Sequence, residues 1–362
     1  MKNKDARHNR INISDVARLS GFSRATVSRV FNNPESVSPN TREMVLRAAE
    51  KLDYYPSATA RSLATGRNYM FGVIAITREE SMVEISSWDF YLRILQGITG
   101  VVKAPDLREA YRCWLDMDTY ESIERSDLLQ QLARSAGIDG LVIILQWSFP
   151  ESFIWQLGQL HRSGFPFVVV NYSMEDFGFA STCIDSRKLG EKAIQHFLSM
   201  GRRRIAWIAG PQLNLSAQER TDGYWLSMQE AGIEIPDGYV QVSEFNPGDG
   251  YRCMRSLIDL ANPPDAVVCA NDQIAAGALR AICDSGLRCP EDIMLIGVDN
   301  SEITIVTSPT LSSFELPLYQ MGQYAARVLL NQLRDECVPE NVSRKAVRYI
   351  PKLITRGSTK CC

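Results

Sequence analysis

The feature that most constrains the fold is a long alternation of short apolar runs with amphipathic segments, which begins near Met70. Helical patterns such as Leu189–Met200 and Ser216–Ala231 separate the apolar runs. The strand-like runs are Phe71–Ile76, Gly140–Leu145, Pro166–Asn171, Arg204–Ala209, Ala266–Ala270 and Ile293–Val298. Strands that are apolar along their length and alternate with helices are typical of parallel, doubly wound sheets. Residues 69–356 are too many for one such sheet, so the sequence predicts two α/β lobes.

Charge separates the beginning of the chain from this α/β body. Residues 1–67 contain 12 Lys and Arg against 6 Asp and Glu, a net charge of +6, whereas the remainder contains 27 against 36, a net charge of −9. A small basic segment ahead of a larger acidic body indicates a module that binds a polyanion. Charge alone does not establish this function, because many solvated helices are basic.

The basic segment has the pattern of short helices joined by a tight turn. Asn12–Asp15 is an N-cap pattern, and Ser20–Phe22, with a central glycine, interrupts the helix that follows the cap. Ser23 can cap a second helix near Arg24–Phe31, and Ser38-Pro39 begins a third. Two short helices around a glycine-containing turn are typical of a helix-turn-helix.

The second helix presents side chains suited to reading DNA. Its apolar residues are predicted to face inward, and its outward positions are Arg24, Ala25, Ser28 and Arg29. Arginine pairs bidentately with guanine, serine bonds to bases or phosphates, and alanine contacts the methyl group of thymine. A solvated amphipathic helix would show a similar pattern, so this segment alone leaves both interpretations open.

A short segment after the third helix favours contact with the minor groove. Ala58–Ala64 would form a helix too short to be stable alone, and it carries Arg61 and one large apolar residue, Leu63. A helix that folds on DNA and inserts a leucine between base steps would kink the duplex. An ordinary linker helix is the alternative.

The order of these motifs resembles the LacI/GalR family of bacterial transcription regulators. The stretch "ATVSRVFN", followed by "VSPNTREMVLRAAEKLDYYPSATARSL", carries the resemblance over nearly all of residues 11–66. It implies that the second helix is the recognition helix, that Leu63 intercalates, and that Thr26 and Ser28 help to hold backbone phosphates. The predicted DNA contacts are Arg24, Ala25, Thr26, Ser28, Arg29, Arg61 and Leu63.

Polar and aromatic residues follow the strands of the body, at the edge where doubly wound folds bind ligands. Amides and carboxylates bind pairs of hydroxyl groups, and an aromatic ring covers the C–H face of a sugar. The residues in these positions are Asn171, Arg220, Phe245, Asn271 and Asp299. Each alone is typical of a cap or turn, but their shared placement favours one cleft for a neutral polyol.

The body also resembles the LacI/GalR family, whose sensor domains are similar to periplasmic sugar-binding proteins. The matching stretches include "ANDQIAAGALRAI", "PEDIMLIGVDNSEI" and "PKLITRGST". The resemblance implies that Arg220, Asn271 and Asp299 contact the effector, with Asn171 and Phe245 as further candidates. The implied fold class is a small all-α helix-turn-helix domain plus an α/β two-lobed periplasmic-binding-protein-like domain with doubly wound parallel sheets.

The first lobe departs from the family pattern. The Asn-Pro-Phe triplet that the family often shows after the first strand is missing from "ITREESMVEISSWDFYLRILQGI". The place where a wall of the ligand site is expected is occupied by Trp88, Asp89, Phe90 and Tyr91, of which Trp88 and Phe90 are the predicted effector contacts. The identity of the effector is therefore not transferable from a relative.

Several other classes of protein are disfavoured by the motifs that the chain lacks. There is no Gly-x-Ser-x-Gly, Walker loop, Gly-x-Gly-x-x-Gly or His-Glu-x-x-His, so we expect no enzyme. The three histidines stand alone and no Cys-x-x-Cys occurs, so neither a metal nor another cofactor is expected. No secretory signal and no membrane-spanning run are visible, which predicts a cytoplasmic protein without membrane contact. A transport protein that only binds sugar would not need the basic segment.

The sequence thus predicts a DNA-binding transcription regulator, a repressor whose operator affinity is controlled by a small effector, a sugar or sugar derivative. The expected domains are a helix-turn-helix domain over residues 1–56, a hinge helix and linker over 57–68, a two-lobed effector-binding and dimerisation domain over 69–356, and a C-terminal tail over 357–362. A homodimer is expected, because paired recognition helices must match the half-sites of a palindromic double-stranded operator.

Overall fold

A computed structural model describes residues 12–32, 34–52, 54, 70–77, 88–103, 112–119, 127–135, 137–333 and 346–360. The chain divides into two compact units, residues 1–70 and residues 71–362. In the described part of the first unit, the helices are α1 (Ile13–Ser20), α2 (Arg24–Asn32) and α3 (Pro39–Lys51), with a 3-10 turn at Pro34–Ser36.

Local hydrogen bonds determine where these helices begin and end. The Asn12 side chain accepts from the Ser14 N–H at 2.8 Å, and the Asn12 N–H donates to the Asp15 carboxylate at 3.0 Å. Gly21 ends α1 with a φ of 77°, which a glycine adopts without steric cost. Ser38 accepts from the Thr41 N–H at 3.2 Å and caps α3. The predicted caps and the glycine turn are confirmed.

Small apolar residues form the core of the first unit. The buried residues are Val16, Ala17, Val27, Val30, Val45, Ala48 and Ala49. Val27 and Val30 come from α2, so the predicted inward face of this helix is confirmed. The opposite face of α2 is consequently available to solvent or a partner.

The second unit contains two sheets, each with six strands among the described residues. The strands in chain order are β1 (Met70–Thr77), β2 (Arg112–Thr119), β3 (Gly140–Leu145), β4 (Phe167–Val170), β5 (Ser181–Ile184), β6 (Ile205–Ala209), β7 (Val240–Val242), β8 (Ala266–Cys269), β9 (Met294–Val298), β10 (Ser312–Glu315), β11 (Ala346–Tyr349) and β12 (Lys352–Ile354). Lobe 1 has the strand order β11-β5-β4-β3-β1-β2, and lobe 2 has the order β12-β10-β9-β8-β6-β7. Strand β3 pairs in parallel with β1 and β4, and β8 pairs in parallel with β6 and β9. Strand β12 runs antiparallel to β10.

Helices cover these sheets, as the alternation of patterns predicts. In chain order they are α4 (Trp88–Val102), α5 (Leu128–Ser135), α6 (Glu151–Arg162), α7 (Ser186–Ser199), α8 (Leu215–Glu230), α9 (Pro247–Ile258), α10 (Asp272–Asp284), α11 (Ile303–Val306) and α12 (Leu318–Leu333). The described chain passes between the lobes after β5, after β10 and after β11. These connections join the lobes on one side and leave a cleft between the carboxyl ends of their strands.

The predicted strands are all present, with ends within one residue of the expected positions. The prediction missed β2, β5, β7, β10, β11 and β12. In two of them, β5 and β10, buried Ser and Thr residues interrupt the apolar pattern. The partners of these hydroxyl groups come from distant parts of the chain, as β10 illustrates. Ser312 shares a hydrogen bond with Thr359 at 2.7 Å, and Ser313 donates to the Asp272 carboxylate at 2.6 Å.

Helices α7 and α8 approach each other at two glycines. A Cβ atom at Gly223 would overlap the carbonyl oxygen of Arg187, and one at Gly190 would overlap the carbonyl oxygen of Arg220. The two backbones are therefore in direct contact, which leaves no room for a side chain. This contact holds the helix that carries Arg220 against its neighbour.

We expect Gly223→Ala to lower the free energy of unfolding by about 1–3 kcal/mol, because the added methyl group must push α7 and α8 apart. Urea denaturation monitored by circular dichroism measures the change. Gly158→Ala on α6 is the matched control, since its Cβ would meet only the Arg162 guanidinium, at 3.7 Å. That control should be neutral or stabilising by up to about 1 kcal/mol. Equal effects of the two substitutions would contradict the close packing.

Candidate functional site

The cleft between the two lobes has an open space of about 720 Å³. Residues from lobe 1 and from the connection after β10 form one side of it: Asp89, Phe90, Gln146, Asn171, Leu316 and Leu318. Residues of lobe 2 form the other side: Asn214, Ser216, Arg220, Phe245, Asn271, Gln273, Asp299 and Ser301. Most of these residues follow the carboxyl end of a strand, as in other doubly wound folds.

The structure brings most of the predicted effector contacts together in this cleft. The lining includes Asn171, Arg220, Phe245, Asn271, Asp299 and Phe90. It does not include Trp88, which is 41% exposed at the first position of α4. Successive side chains on an α-helix point about 100° apart, so the helical conformation turns Asp89 and Phe90 toward the cleft and leaves Trp88 outside it.

Arg220 is a buried charge on the lobe 2 side of the cleft. It lies in the second turn of α8, whose N-terminus is capped by Asn214, and it is only 6% exposed. Its Nη1 donates to the carbonyl oxygen of Ala270 at 2.7 Å, while its Nε has no partner among the described residues. Burial lowers the pKa of Arg220, and the negative charge of Asp299 opposes this shift. An oxygen atom of a ligand is the kind of group that would satisfy the remaining donor.

Asp299 directly follows β9 in an unusual backbone conformation. Its φ is 105°, and that of Asn300 is 50°, in a region that few non-glycine residues adopt. The Arg356 guanidinium donates to the Asn300 side chain at 2.6 Å and helps to hold this turn. Burial raises the pKa of Asp299 and the neighbouring Asp272 raises it further, whereas the charges of Arg220 and Arg93 lower it.

Asp272, which is 1% exposed, stabilises the turn after β9 through hydrogen bonds. Its carboxylate accepts from the Ser301 N–H at 2.7 Å, from the Ser301 hydroxyl at 2.9 Å and from the Ser313 hydroxyl at 2.6 Å. These bonds tie the start of α10 to the segment after β9. They thereby hold Asp299 at the cleft, and burial raises the pKa of Asp272 as well.

Asn171 and Asn271 both line the cleft, and each also forms a hydrogen bond with the backbone. The Asn171 Nδ2 donates to the carbonyl oxygen of Leu145 at 2.8 Å, while its buried Oδ1 has no partner in the described part of the chain. The Asn271 Oδ1 accepts from the Ile274 N–H at 2.8 Å and caps α10. The cap explains why asparagine stands at this position, and the amide N–H groups of Asn271 remain for a ligand.

Hydrogen bonds also join the lobes across the cleft. The Arg93 guanidinium, from α4, pairs with the Asp89 carboxylate at 2.9 Å and donates to the carbonyl oxygens of Asp299 at 3.3 Å and Asn300 at 3.4 Å. The Ser148 N–H donates to the carbonyl oxygen of Leu213 at 2.9 Å. A ligand that contacts both lobes would therefore act on a contact that already exists.

Sequence reasoning missed several residues that line the cleft. Gln146 directly follows a predicted strand and Gln273 lies two residues after Asn271, so their positions alone could have revealed them. Leu316 and Leu318 carried no comparable signal, because Leu316 lies on a connection between the lobes and Leu318 begins α12, and neither element was predicted.

Helix α2 carries the predicted DNA contacts of the first unit that the structure describes. Arg24, Ala25 and Arg29 are exposed, and Thr26 and Ser28 are half-buried. The Thr26 hydroxyl shares a hydrogen bond with the Ser23 hydroxyl at 2.9 Å, and the Thr26 N–H donates to Ser23 at 3.1 Å. Thr26 thus stabilises the start of α2. The predicted contacts Arg61 and Leu63 lie outside the described residues.

The residues that the structure describes include no cluster of three or more His, Cys, Asp or Glu side chains arranged to hold a metal ion. No helix among them has the length and apolar content needed to cross a bilayer.

A helix-turn-helix module followed by two doubly wound lobes around a polar cleft is the architecture of a ligand-responsive transcription regulator. Residues 12–57 match the model of bacterial regulatory proteins of the lacI family, and residues 194–359 match a periplasmic binding protein-like domain. The chain therefore combines a LacI family helix-turn-helix domain with a periplasmic-binding-protein-like domain.

Individual relatives agree with this assignment over nearly the whole chain. The probable HTH-type transcriptional repressor ExuR of Bacillus subtilis strain 168 is 28% identical over 335 residues, which cover 92% of this chain and 94% of ExuR. The regulator CelR, solved in complex with cellobiose, is 29% identical, with a TM-score of 0.66, and the match covers 96% of this chain and all of CelR. The lac repressor dimer bound to operator and an anti-inducer is 24% identical and shares the fold, with a TM-score of 0.78 over 97% of this chain and 99% of the repressor.

The raised pKa of Asp299 makes a prediction about the pH dependence of stability. A carboxyl group with a raised pKa in the folded state stabilises the fold at low pH, and this contribution is lost as pH rises from about 4 through the folded-state pKa. We expect the Asp299→Asn variant, without its effector, to lose less unfolding free energy than the wild type over this range. Denaturant titrations at several pH values measure the slope.

The exposed carboxylate of Asp259, the residue that caps the C-terminus of α9, supplies the control for this experiment. The Asp259→Asn variant should keep the pH slope of the wild-type protein. An unchanged slope in Asp299→Asn would show that the cleft does not hold this proton.

Proposed function

We propose that this protein is a sequence-specific transcriptional repressor whose affinity for operator DNA depends on a small effector, a sugar or sugar derivative, bound between its lobes. The observation that carries the proposal is the convergence of the Arg220 donor, the Asn171 acceptor and the Asp299 carboxyl group on one cleft. Hydroxyl groups are both donors and acceptors, so a polyol can satisfy all three. Phe245 adds an aromatic ring to the lining, which can cover the C–H face of a sugar.

The relatives support this class of effector and of function. CelR, the regulator solved with cellobiose, matches almost the entire chain, and ExuR is named as a transcriptional repressor. We propose that Asn171, Arg220, Phe245, Asn271, Asp299 and Phe90 contact the effector. We further propose that the effector is released unchanged, so formation of any product would contradict a purely regulatory role.

The proposed DNA contacts lie on α2 and on the segment that follows α3. Arg24, Ala25 and Arg29 are exposed and suited to base edges, while the half-buried Thr26 and Ser28 are proposed to help hold backbone phosphates. Arg61 and Leu63 are proposed to contact the minor groove. We place the helix-turn-helix domain at residues 1–56, the hinge at 57–68, the effector and dimerisation domain at 69–356 and the tail at 357–362, in a cytoplasmic protein.

A homodimer is part of this proposal. One recognition helix reads only one half-site, and two copies related by a twofold axis match the two half-sites of a palindromic operator, about one helical turn apart. The lac repressor, which shares the fold, was solved as a dimer on its operator.

We expect Arg29→Ala to reduce the preference for a selected site over random duplex by about 1–3 kcal/mol, because one base contact is lost. Sites are first selected from a random duplex library with the wild-type protein, and affinities are then measured by fluorescence anisotropy. Arg47→Ala is the matched control, since it removes an exposed positive charge from α3 without touching α2. It should weaken selected and random DNA equally. An equal loss on both for Arg29→Ala would argue against base readout.

We expect Arg220→Gln to weaken effector binding by more than about tenfold while DNA affinity without effector stays unchanged, because a charged hydrogen-bond donor is removed from the cleft. A thermal-shift panel of sugars and sugar phosphates first identifies a ligand, and calorimetry then measures its affinity. Arg280→Gln, at an exposed arginine of α10 paired with Asp284, is the control. Normal effector affinity in Arg220→Gln would remove this residue from the site.

A further inference from the structure

A second cavity lies beside the cleft, and the proposed function makes no use of it. Its open space is about 510 Å³. It extends over the carboxyl ends of β4 and β5 and is bordered by the start of α8 and by β11. The side chains that matter for its chemistry are Tyr172, Asp176, Glu219 and Arg348.

The two cavities share Asn171 and Ser216, which line both of them. These residues are only 8% and 9% exposed, respectively. The buried Asn171 Oδ1 has no hydrogen-bond partner in the ranges that the structure describes. A buried acceptor without a partner is unusual in a folded protein. A polar ligand that extends from one cavity to the other would satisfy this acceptor and pass beside Ser216.

The lining of the second cavity is suited to hydroxyl groups. The Tyr172 ring is held edge-on against the Phe149 ring, with 4.8 Å between their centroids, and is therefore preorganised to cover one face of a ligand. Glu219 is half-buried, and only burial and the charges of neighbouring side chains, with no hydrogen bond from a described residue, act on its carboxyl group. Burial raises the pKa of Glu219, and the charge of Arg348 lowers it.

The charges of this cavity disfavour an anionic ligand. Glu219 and Asp176 supply two carboxyl groups, whereas Arg348 is the single basic side chain in the lining. A phosphate or carboxylate group would face more negative than positive charge there. Neutral hydroxyl groups can donate to the carboxylates and accept from the guanidinium.

We propose that the second cavity is a second carbohydrate subsite and that the effector is a disaccharide spanning both cavities. One ring lies in the cleft near Arg220 and Asp299, and the other lies against Tyr172 and Glu219. Asn171 and Ser216 bind the hydroxyl groups near the linkage. This inference rests on the carbohydrate effector of the proposed function.

Calorimetry on the full-length protein tests the proposal with cellobiose, lactose, maltose, melibiose and gentiobiose, each compared with glucose and galactose. We expect one disaccharide to bind at least about tenfold more tightly than its component monosaccharides, because the second ring adds contacts. Glu219→Gln and Tyr172→Ala should each reduce the affinity for that disaccharide about three- to tenfold and leave the monosaccharide affinity unchanged.

Two further variants separate direct contact from loss of structure. Tyr172→Phe keeps the aromatic ring and should retain most of the disaccharide affinity. Glu230→Gln makes the same chemical change as Glu219→Gln at the exposed far end of α8 and should alter neither affinity. Thermal unfolding of each variant verifies that it is folded.

Different failures have different meanings. Equal affinities for the disaccharides and their monosaccharides would overturn the second subsite and leave a sugar effector in place, as would variants that weaken both ligands alike. Binding of none of these saccharides, together with a thermal shift by another class of metabolite, would overturn the sugar effector and the second subsite with it.

Discussion

The buried guanidinium of Arg220 is the interaction on which the effector cleft depends. Taking a charge out of water is costly unless other groups compensate for the lost hydration. Part of that compensation comes from the carbonyl oxygen of Ala270, which accepts a hydrogen bond from Arg220, and part from the electrostatic attraction of the nearby Asp299 carboxyl group. Because Ala270 immediately precedes the cap of α10, the same hydrogen bond aligns α8 with the strand end that carries Asn271.

This compensation is incomplete, and it leaves polar groups in the cleft that a ligand could bind. The Arg220 Nε and the Asn171 Oδ1 have no partners in the described structure, and Asp299 occupies a strained backbone region. Buried polar groups without a partner are rare in native proteins, and bound water, an ion or a ligand can complete their hydrogen bonding. The fold therefore holds donors and acceptors for a ligand in the cleft before one binds.

Control of DNA affinity requires that the effector distinguish between two arrangements of the protein. The described contacts show where such a difference could arise. Arg93 links α4 of lobe 1 to the backbone at Asp299 and Asn300 in lobe 2, and its partner Asp89 lines the cleft. A ligand that bonds to Asp89 and Asp299 would change the hydrogen bonding around Arg93, and binding would then be coupled to the contact between the lobes through one side chain.

The sequence by itself determined the helix-turn-helix, the apolar strands and most of the cleft residues. Caps, a glycine turn and continuous apolar runs are local signals, and strand ends in parallel sheets meet at one edge whatever the details of packing. The strands with buried serines were decided only by the tertiary structure. Ser312 and Ser313 are polar residues that a local pattern does not assign to a buried strand, and they are buried because Thr359 and Asp272 form hydrogen bonds with them. The same holds for the place of Trp88 outside the cleft, for the chain crossings that bring in Leu316, and for the second cavity, since each depends on contacts between segments far apart in the chain.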